Sequence, residues 1–324
     1  MAPKPQPAPL DGALVMDKPH GKTSHDVVEG VRRIAGFRQI GHLGTLDPIG
    51  TGVLVLLLGR ATRLAQFYSG RRKRYTVAVR FGFATNTYDA DGEPLGPDRA
   101  PELHCEEIEP LAQQFLGRFA QMPPAFSAKK IRGRPAHELA RRKKPVELKP
   151  VEVEVYELRV TEVEGSLARF VIECAAGTYI RSLAHELGAR LGTGAHLAEI
   201  VRTAVGEFTL DQAVTLEELA EAARTGRLAE WVLPLERLLQ DLPWVNVLPI
   251  VERRVRHGTR FHVALAQIQP GRVSTAQGAP AELDSSDWRP ARLRVFNQRG
   301  KLIAIAQAIV PRTYQPVVVL DAEP

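Results

Sequence analysis

Polar and apolar positions along this chain follow two periods, and each predicts a different element. In RYTVAVRFGF the side chains of Tyr75, Val77, Val79, Phe81 and Phe83 fall on one face, the period of two that marks a half-buried strand. VEVEVYELRV repeats that pattern, ARFVIEC predicts another strand, and LRVFNQRGKLIAIAQ predicts two strands joined around Asn297 to Gly300. A helical period appears in SHDVVEGVRRIAG, where Val27, Val31 and Ile34 share a stripe, Ser24 is placed to cap the helix and Gly36 to close it. A second helical stripe runs through Ile180, Leu183, Ala184, Leu187 and Leu191, beginning beside Tyr179 with Thr178 as its expected cap. Strands and helices therefore mix without regular alternation, and no repeat is visible. From about Leu242 the texture changes to short apolar runs, which indicates a small β domain.

Length changes this picture by requiring more than one core: 324 residues, 44% of them hydrophobic, make two domains the natural expectation. Cys105 and Cys174 lie far apart without metal-ligand spacing, which argues against a disulfide framework or zinc ribbon and fits a reducing cytoplasm. The nine histidines show no paired spacing, so no metal site is expected. The opening MAPKPQPAPLDG has alternating prolines where a secretory signal needs a continuous apolar run, and residues 1–10 read as a flexible tail. The longest apolar run, Val53 to Leu58, is too short to span a bilayer, so a soluble, unexported protein with no membrane association is expected.

Charge distribution says more than the total. Residues 129–149 carry nine basic side chains against Glu138 and Glu147, an excess of +7 in a chain of net charge +6, so the remainder sums to −1. A smaller basic cluster stands at Arg71, Arg72, Lys73 and Arg74. Basicity concentrated in this way favours a polyanionic partner over a generally solvated surface.

The candidate chemistry centres on GHLGTLDPIGTGVL, where Gly41, Gly44, Gly50 and Gly52 bracket one carboxylate, Asp47, followed directly by Pro48. Proline pushes the preceding residue away from helical geometry and glycines permit tight turns, so Asp47 is presented on a shaped loop. Alone, the same residues also describe an ordinary Asp-Pro turn. Arg181 sits in the first turn of a helix, where the macrodipole disfavours a cation, so an anionic group is expected to offset it.

The segment around Asp47 resembles the central motif of the TruB family of tRNA pseudouridine synthases. KRYTVAVRFGFATNTYDADG, QMPPAFSAKKIRG, GTYIRSLAHELG and GAHLAEIVRTAVGEF look like further blocks of that family in the same order, so the resemblance covers most of residues 11–215. It implies an α+β fold: a pseudouridine synthase catalytic domain over 11–240 on a mixed, largely antiparallel sheet, with a basic RNA-gripping insertion around 121–150. A PUA-like β domain over 241–324 is expected to follow. By resemblance Asp47 is the catalytic aspartate, Arg181 pairs with it, and Tyr75, also counted as catalytic, stacks on the target base and takes part in removing its C5 proton. Tyr179 and Ile200 line the uracil pocket, His42 fills the space vacated by the flipped nucleotide, Asp89 is an acidic position near the site, and Lys130 contacts RNA.

Three departures stand out. Ile200 replaces a more frequent Leu, Phe126 a frequent Tyr, and Pro135-Ala136-His137 a more usual Leu-Tyr. The implied activity is isomerisation of a flipped-out uridine to pseudouridine at position 55 in the T-loop of tRNA, with no cofactor, guide RNA or protein partner. Two other readings remain open at this point: the guide-RNA-dependent branch of the fold, and an RNA chaperone that remodels tRNA without catalysis.

Overall fold

The computed structural model describes residues 10–37, 39–124, 148–272 and 290–321, together with the backbone of 130–131 and 134–135. Its centre is a ten-stranded sheet. The strands are β1 (Gly12–Lys18), β2 (Ile40–His42), β3 (Thr51–Leu58), β4 (Lys73–Phe81) and β5 (Gly117–Gln121), followed after a short ribbon by five more. The ribbon is β6 (Lys130–Ile131) paired with β7 (Arg134–Pro135). The remaining strands are β8 (Val151–Glu164), β9 (Leu167–Cys174), β10 (Ala195–Val205), β11 (Phe208–Thr209) and β12 (Val232–Pro234). Their spatial order is β12, β1, β3, β10, β4, β9, β8, β5, with β2 beside β3 and β11 beside β10. Every pairing is antiparallel except β3 with β10, so the sheet is mixed and largely antiparallel.

Among the described residues, four helices cover this sheet: α1 (Ser24–Ala35), α2 (Cys105–Gln113), α3 (Ile180–Leu191) and α4 (Leu216–Arg224). The apolar face of β4 reads as the sequence predicts, with Tyr75, Val77, Val79 and Phe81 buried against Leu183 and Leu187 of α3 and Ile108 of α2. The run TGVLVLLL in β3 does not alternate because both of its faces are covered. Leu54, Leu56 and Leu58 pack in one cluster with Val27, Val28 and Val31 of α1. Val53, Val55 and Leu57 pack in another with Leu302, Ile305 and Val318. Those last three belong to a small C-terminal β domain, whose sheet runs β13 (Trp244–Asn246), β15 (Arg292–Phe296), β16 (Leu302–Val310), β17 (Thr313–Val319), β14 (Phe261–His262). The helix α5 (Pro249–Arg256) joins β13 to β14. No helix among the described residues is long and apolar enough to cross a membrane.

Several local expectations need correction. Thr23, not Ser24, caps α1: its hydroxyl accepts from Asp26 N while the Asp26 carboxylate accepts from Thr23 N. The cap of α3 is Tyr179, without a side-chain bond, and the Thr178 hydroxyl donates to Ala175 O instead. Alternation along β8 is interrupted between Val155 and Glu157, where the register against β9 shifts by one. The next buried side chain is therefore Leu158.

Candidate active site

Asp47 lies on the loop between β2 and β3, and that loop is held by its backbone carbonyls. A turn closes from Gly50 N to Asp47 O at 2.9 Å, with Pro48 at its second position, as proline's fixed φ favours. Lys18, at the end of β1 and fully buried, donates from Nζ to Pro48 O at 3.3 Å and Gly50 O at 2.5 Å. Arg202, on β10 and also fully buried, donates to Val53 O at 2.7 Å and to Gly44 O and Thr45 O at 3.2 Å each. Ser24 Oγ bonds both the N–H and the C=O of Leu46, at 2.9 and 3.1 Å, so the first residue of α1 pins the residue before Asp47. Gly52 lets β3 and β10 meet here: its φ is 91°, and a Cβ would lie 2.4 Å from Arg202 O.

Two buried cations thus fix the loop without touching the carboxylate. The carboxylate is held by a third. Arg181 Nε meets Asp47 Oδ2 at 2.9 Å, and Nη1 of the same guanidinium meets Asp89 Oδ2 at 3.2 Å and Thr87 O at 3.1 Å. The anion expected to offset a cation in the first turn of α3 is therefore a pair of carboxylates. Exposure separates their roles: the side chain of Asp47 is 46% exposed, those of Arg181 and Asp89 only 7%. Burial pushes the Asp89 carboxyl above its ordinary value, opposed by the Thr87 hydroxyl bond and by Arg181. The Lys18 ammonium is pulled down to about 8, chiefly by burial and partly offset by Asp47.

A cavity of about 200 Å³ opens beside Asp47, and Tyr75, Tyr179, Arg181 and Ile200 line it together with Lys73. Its walls combine the apolar face of β4 and β10 with the N-terminal turn of α3. Gln121 secures that turn through reciprocal bonds with Tyr179, Nε2 to O at 3.0 Å and N to Oε1 at 2.9 Å. Burial raises the Tyr75 phenol well above its ordinary value, so its ring is neutral at any pH near 7. His42 stands apart at the end of β2, exposed and outside the cavity lining. Desolvation and nearby Arg202 lower its imidazole, which favours a neutral ring.

Of the residues singled out from sequence, five line the cavity and Asp89 buttresses it from behind. The side chain of Lys130, and the basic residues from Arg141 to Lys144, lie outside the described residues. The cluster at 71–74 is largely neutralised within the protein, Arg71 by Asp241, Arg72 by Glu173, and Arg74 by Glu157 and Glu173. Sequence reasoning missed Lys18, Ser24 as a loop pin, Lys73 and Arg202. For Lys18 a signal exists, a lysine closing the apolar run GALVMDK before proline; a buried arginine such as Arg202 looks like any strand arginine.

Residues 32–180 match the model of the TruB family pseudouridylate synthase N-terminal domain, and residues 181–240 that of the tRNA pseudouridylate synthase B C-terminal domain. The junction of the two matches falls in the first turn of α3, not at a gap in the fold. The chain is 46% identical to the tRNA pseudouridine synthase B of Solibacter usitatus, over 96% of this chain and 100% of that protein. It is 42% identical to the enzyme of the same name from Aquifex aeolicus, over 78% of this chain and 87% of that one. Among solved structures, a chain of an H/ACA RNP bound to a substrate RNA containing 2′-deoxyuridine aligns with TM-score 0.69 and 24% identity. That alignment covers 96% of this chain and 85% of the other, and it establishes a shared fold. With identity this high over nearly its full length, the chain belongs to the TruB family of pseudouridylate synthases.

Proposed function

We propose that this protein isomerises uridine to pseudouridine at position 55 in the T-loop of tRNA, with Asp47 acting on the ribose of a flipped-out nucleotide. The observation that carries this reading is a half-exposed carboxylate at the mouth of a cavity, held in place by a buried guanidinium and a clamped loop. The reaction needs a group that stays anionic as the N1–C1′ bond breaks and its electron pair leaves with the base. A fixed carboxylate meets the electron-poor sugar without reorganising. The detached uracil turns, its C5 bonds to C1′, the C5 proton is lost, and N1 gains a proton. Atoms and electrons balance within one nucleotide, so the chemistry calls for no cofactor.

The other residues take roles that follow from their placement. Tyr75 offers a neutral aromatic face for the base, and its raised phenol disfavours service as a phenolate base. Ile200 supplies an apolar wall, and Asp89 holds Arg181 in line with Asp47. His42, exposed on the strand that leads into the Asp47 loop, is placed to occupy the gap left in the RNA stack. Lys130 and its basic neighbours supply phosphate contacts of the T-arm. Identity over 100% and 87% of two relatives named tRNA pseudouridine synthase B supports action without guide RNA or accessory protein. Incubating the purified protein alone with an unmodified tRNA transcript and mapping pseudouridine tests this: product only on adding guide RNA would favour the guide-dependent reading, and binding without product a chaperone.

A further inference from the structure

Lys73 is the exception within its basic cluster. Arg71 is clamped by Asp241 through two contacts of 2.7 Å, Arg72 meets Glu173 at 3.0 Å, and Arg74 meets Glu157 at 2.9 Å. Lys73 opens β4 two residues before Tyr75, so both side chains leave the same face of the strand, and both line the cavity. Among the described residues, no carboxylate and no hydrogen-bond acceptor holds its Nζ. The titratable groups acting on it are Arg202, a second cation, and the Cys174 thiol, which burial pushes up to about 11 and so keeps neutral.

The cavity also has a direction. Pairing of β4 with β10 sets Val79 beside Leu197, Val77 beside Ile200, Tyr75 beside Arg202 and Lys73 beside Val205. The Leu197 end is closed, with Leu197 1% and Val79 2% exposed. The Lys73 end is only half-buried and reaches over Gly44, where an added Cβ would stand 3.1 Å from Nζ. A phosphate reaching this cavity from outside meets Lys73 at its half-buried end.

We propose that Lys73 grips a backbone phosphate flanking the flipped uridine and so anchors the ribose over Asp47. The proposal rests on the reading of this cavity as the uridine-isomerising site. Burial without a counter-ion lowers the Lys73 ammonium, and an entering phosphate supplies the charge partner it lacks among the described residues. Lys73 is on this account a binding residue, distinct from Arg181, whose guanidinium is committed to two carboxylates.

The test uses a T-arm hairpin RNA with the native linkages, and two versions in which the phosphate on the 5′ or the 3′ side of the target uridine is a neutral methylphosphonate. Binding of each to the wild-type protein, Lys73→Met and Lys73→Arg is measured against salt. On the native hairpin Lys73→Met should raise Kd about tenfold, as loss of one charge-assisted hydrogen bond implies. It should also flatten the plot of log affinity against log salt by about 0.7, the value for one single-strand phosphate. Lys73→Arg should restore most of the affinity. On one of the two neutral hairpins the wild-type and Lys73→Met proteins should bind alike.

A tenfold loss that persists undiminished on both neutral hairpins would overturn the proposal. So would an unchanged Kd with a collapsed kcat, which would place Lys73 on the base during the chemistry. Methionine keeps the apolar stem, and melting curves check the fold of both variants. Failure of the wild-type protein to form pseudouridine in the native hairpin would count against the activity itself, while the phosphate coupling is read from binding alone.

Discussion

Replacing Arg202 by Met removes the donor that ties β10 to the Asp47 loop. The guanidinium serves three carbonyls, Val53 O at 2.7 Å through a buried bond and Gly44 O and Thr45 O at 3.2 Å through part-buried ones, so water can take its place only at the last two. Leaving a buried acceptor unpaired costs about 1–3 kcal/mol. Removing a buried cation returns part of its own desolvation cost, so about 1–2 kcal/mol applies for the one fully buried acceptor. At about 2.1 cal/mol/K of unfolding entropy per residue, 324 residues give about 1.5 °C per kcal/mol, so the melting temperature should fall by about 2–3 °C. A loop displaced by about 1 Å costs about a hundredfold in rate. Single-turnover kinetics on tRNA below the new melting range should show that loss, with Kd for tRNA unchanged within about threefold, since a fully buried residue touches no RNA. A melting drop with normal turnover would refute the clamp, and a large loss of affinity with normal turnover would make Arg202 an RNA contact.

Other variants probe neighbouring parts of the same device. Arg181→Lys should lower kcat about a hundredfold, because a point charge cannot hold Asp47 and Asp89 at once; near-normal kinetics would reduce Arg181 to a packing role. Thr23→Ala should cost about 1 kcal/mol and leave turnover intact, being only a helix cap. Ser24→Ala, one residue on, should slow turnover by roughly tenfold or more through the loss of both Leu46 bonds, and equal behaviour of the two variants would dismiss the pin. The single-turnover rate should fall as pH rises through about 8, where Lys18 loses its charge, and a rate flat to pH 9 would contradict this. Folding stability runs the other way: between about 8 and 10.5 the unfolded chain binds more protons at this lysine than the folded one, so its contribution rises with pH across that window.

Half-buried elements were the most legible ones. β4 and the helices α1 and α3 present one apolar and one polar face, and their periods survive in the sequence. β3 is covered on both sides and shows only an apolar run, while the bulge at Val155 to Glu157 moves the phase of β8 by one residue, which no pattern announces. Motifs placed Asp47, Tyr75, Tyr179, Arg181 and Ile200 together, because each belongs to a recognisable block. What holds them was hidden. Lys18 and Arg202 do their work through backbone carbonyls of residues far along the chain, and partners of that kind have no side-chain signature. The cluster at 71–74 misled for the converse reason: its acidic partners, Glu157, Glu173 and Asp241, arrive from distant strands and loops.

On the proposed function, the Asp47 carboxylate performs the ribose chemistry on tRNA. Asp47→Asn keeps the size and the loop geometry, removes the charge and weakens the Arg181 contact, while the RNA-facing surface stays the same. The decisive measurement compares this variant with the wild-type protein on an unmodified tRNA transcript without guide RNA, mapping pseudouridine at single-nucleotide resolution and measuring Kd on the same samples. Complete conversion at position 55 by the wild-type protein, none by the variant, and affinities within a few fold of each other are expected. Substantial pseudouridine at that position in the Asp47→Asn reaction would contradict it.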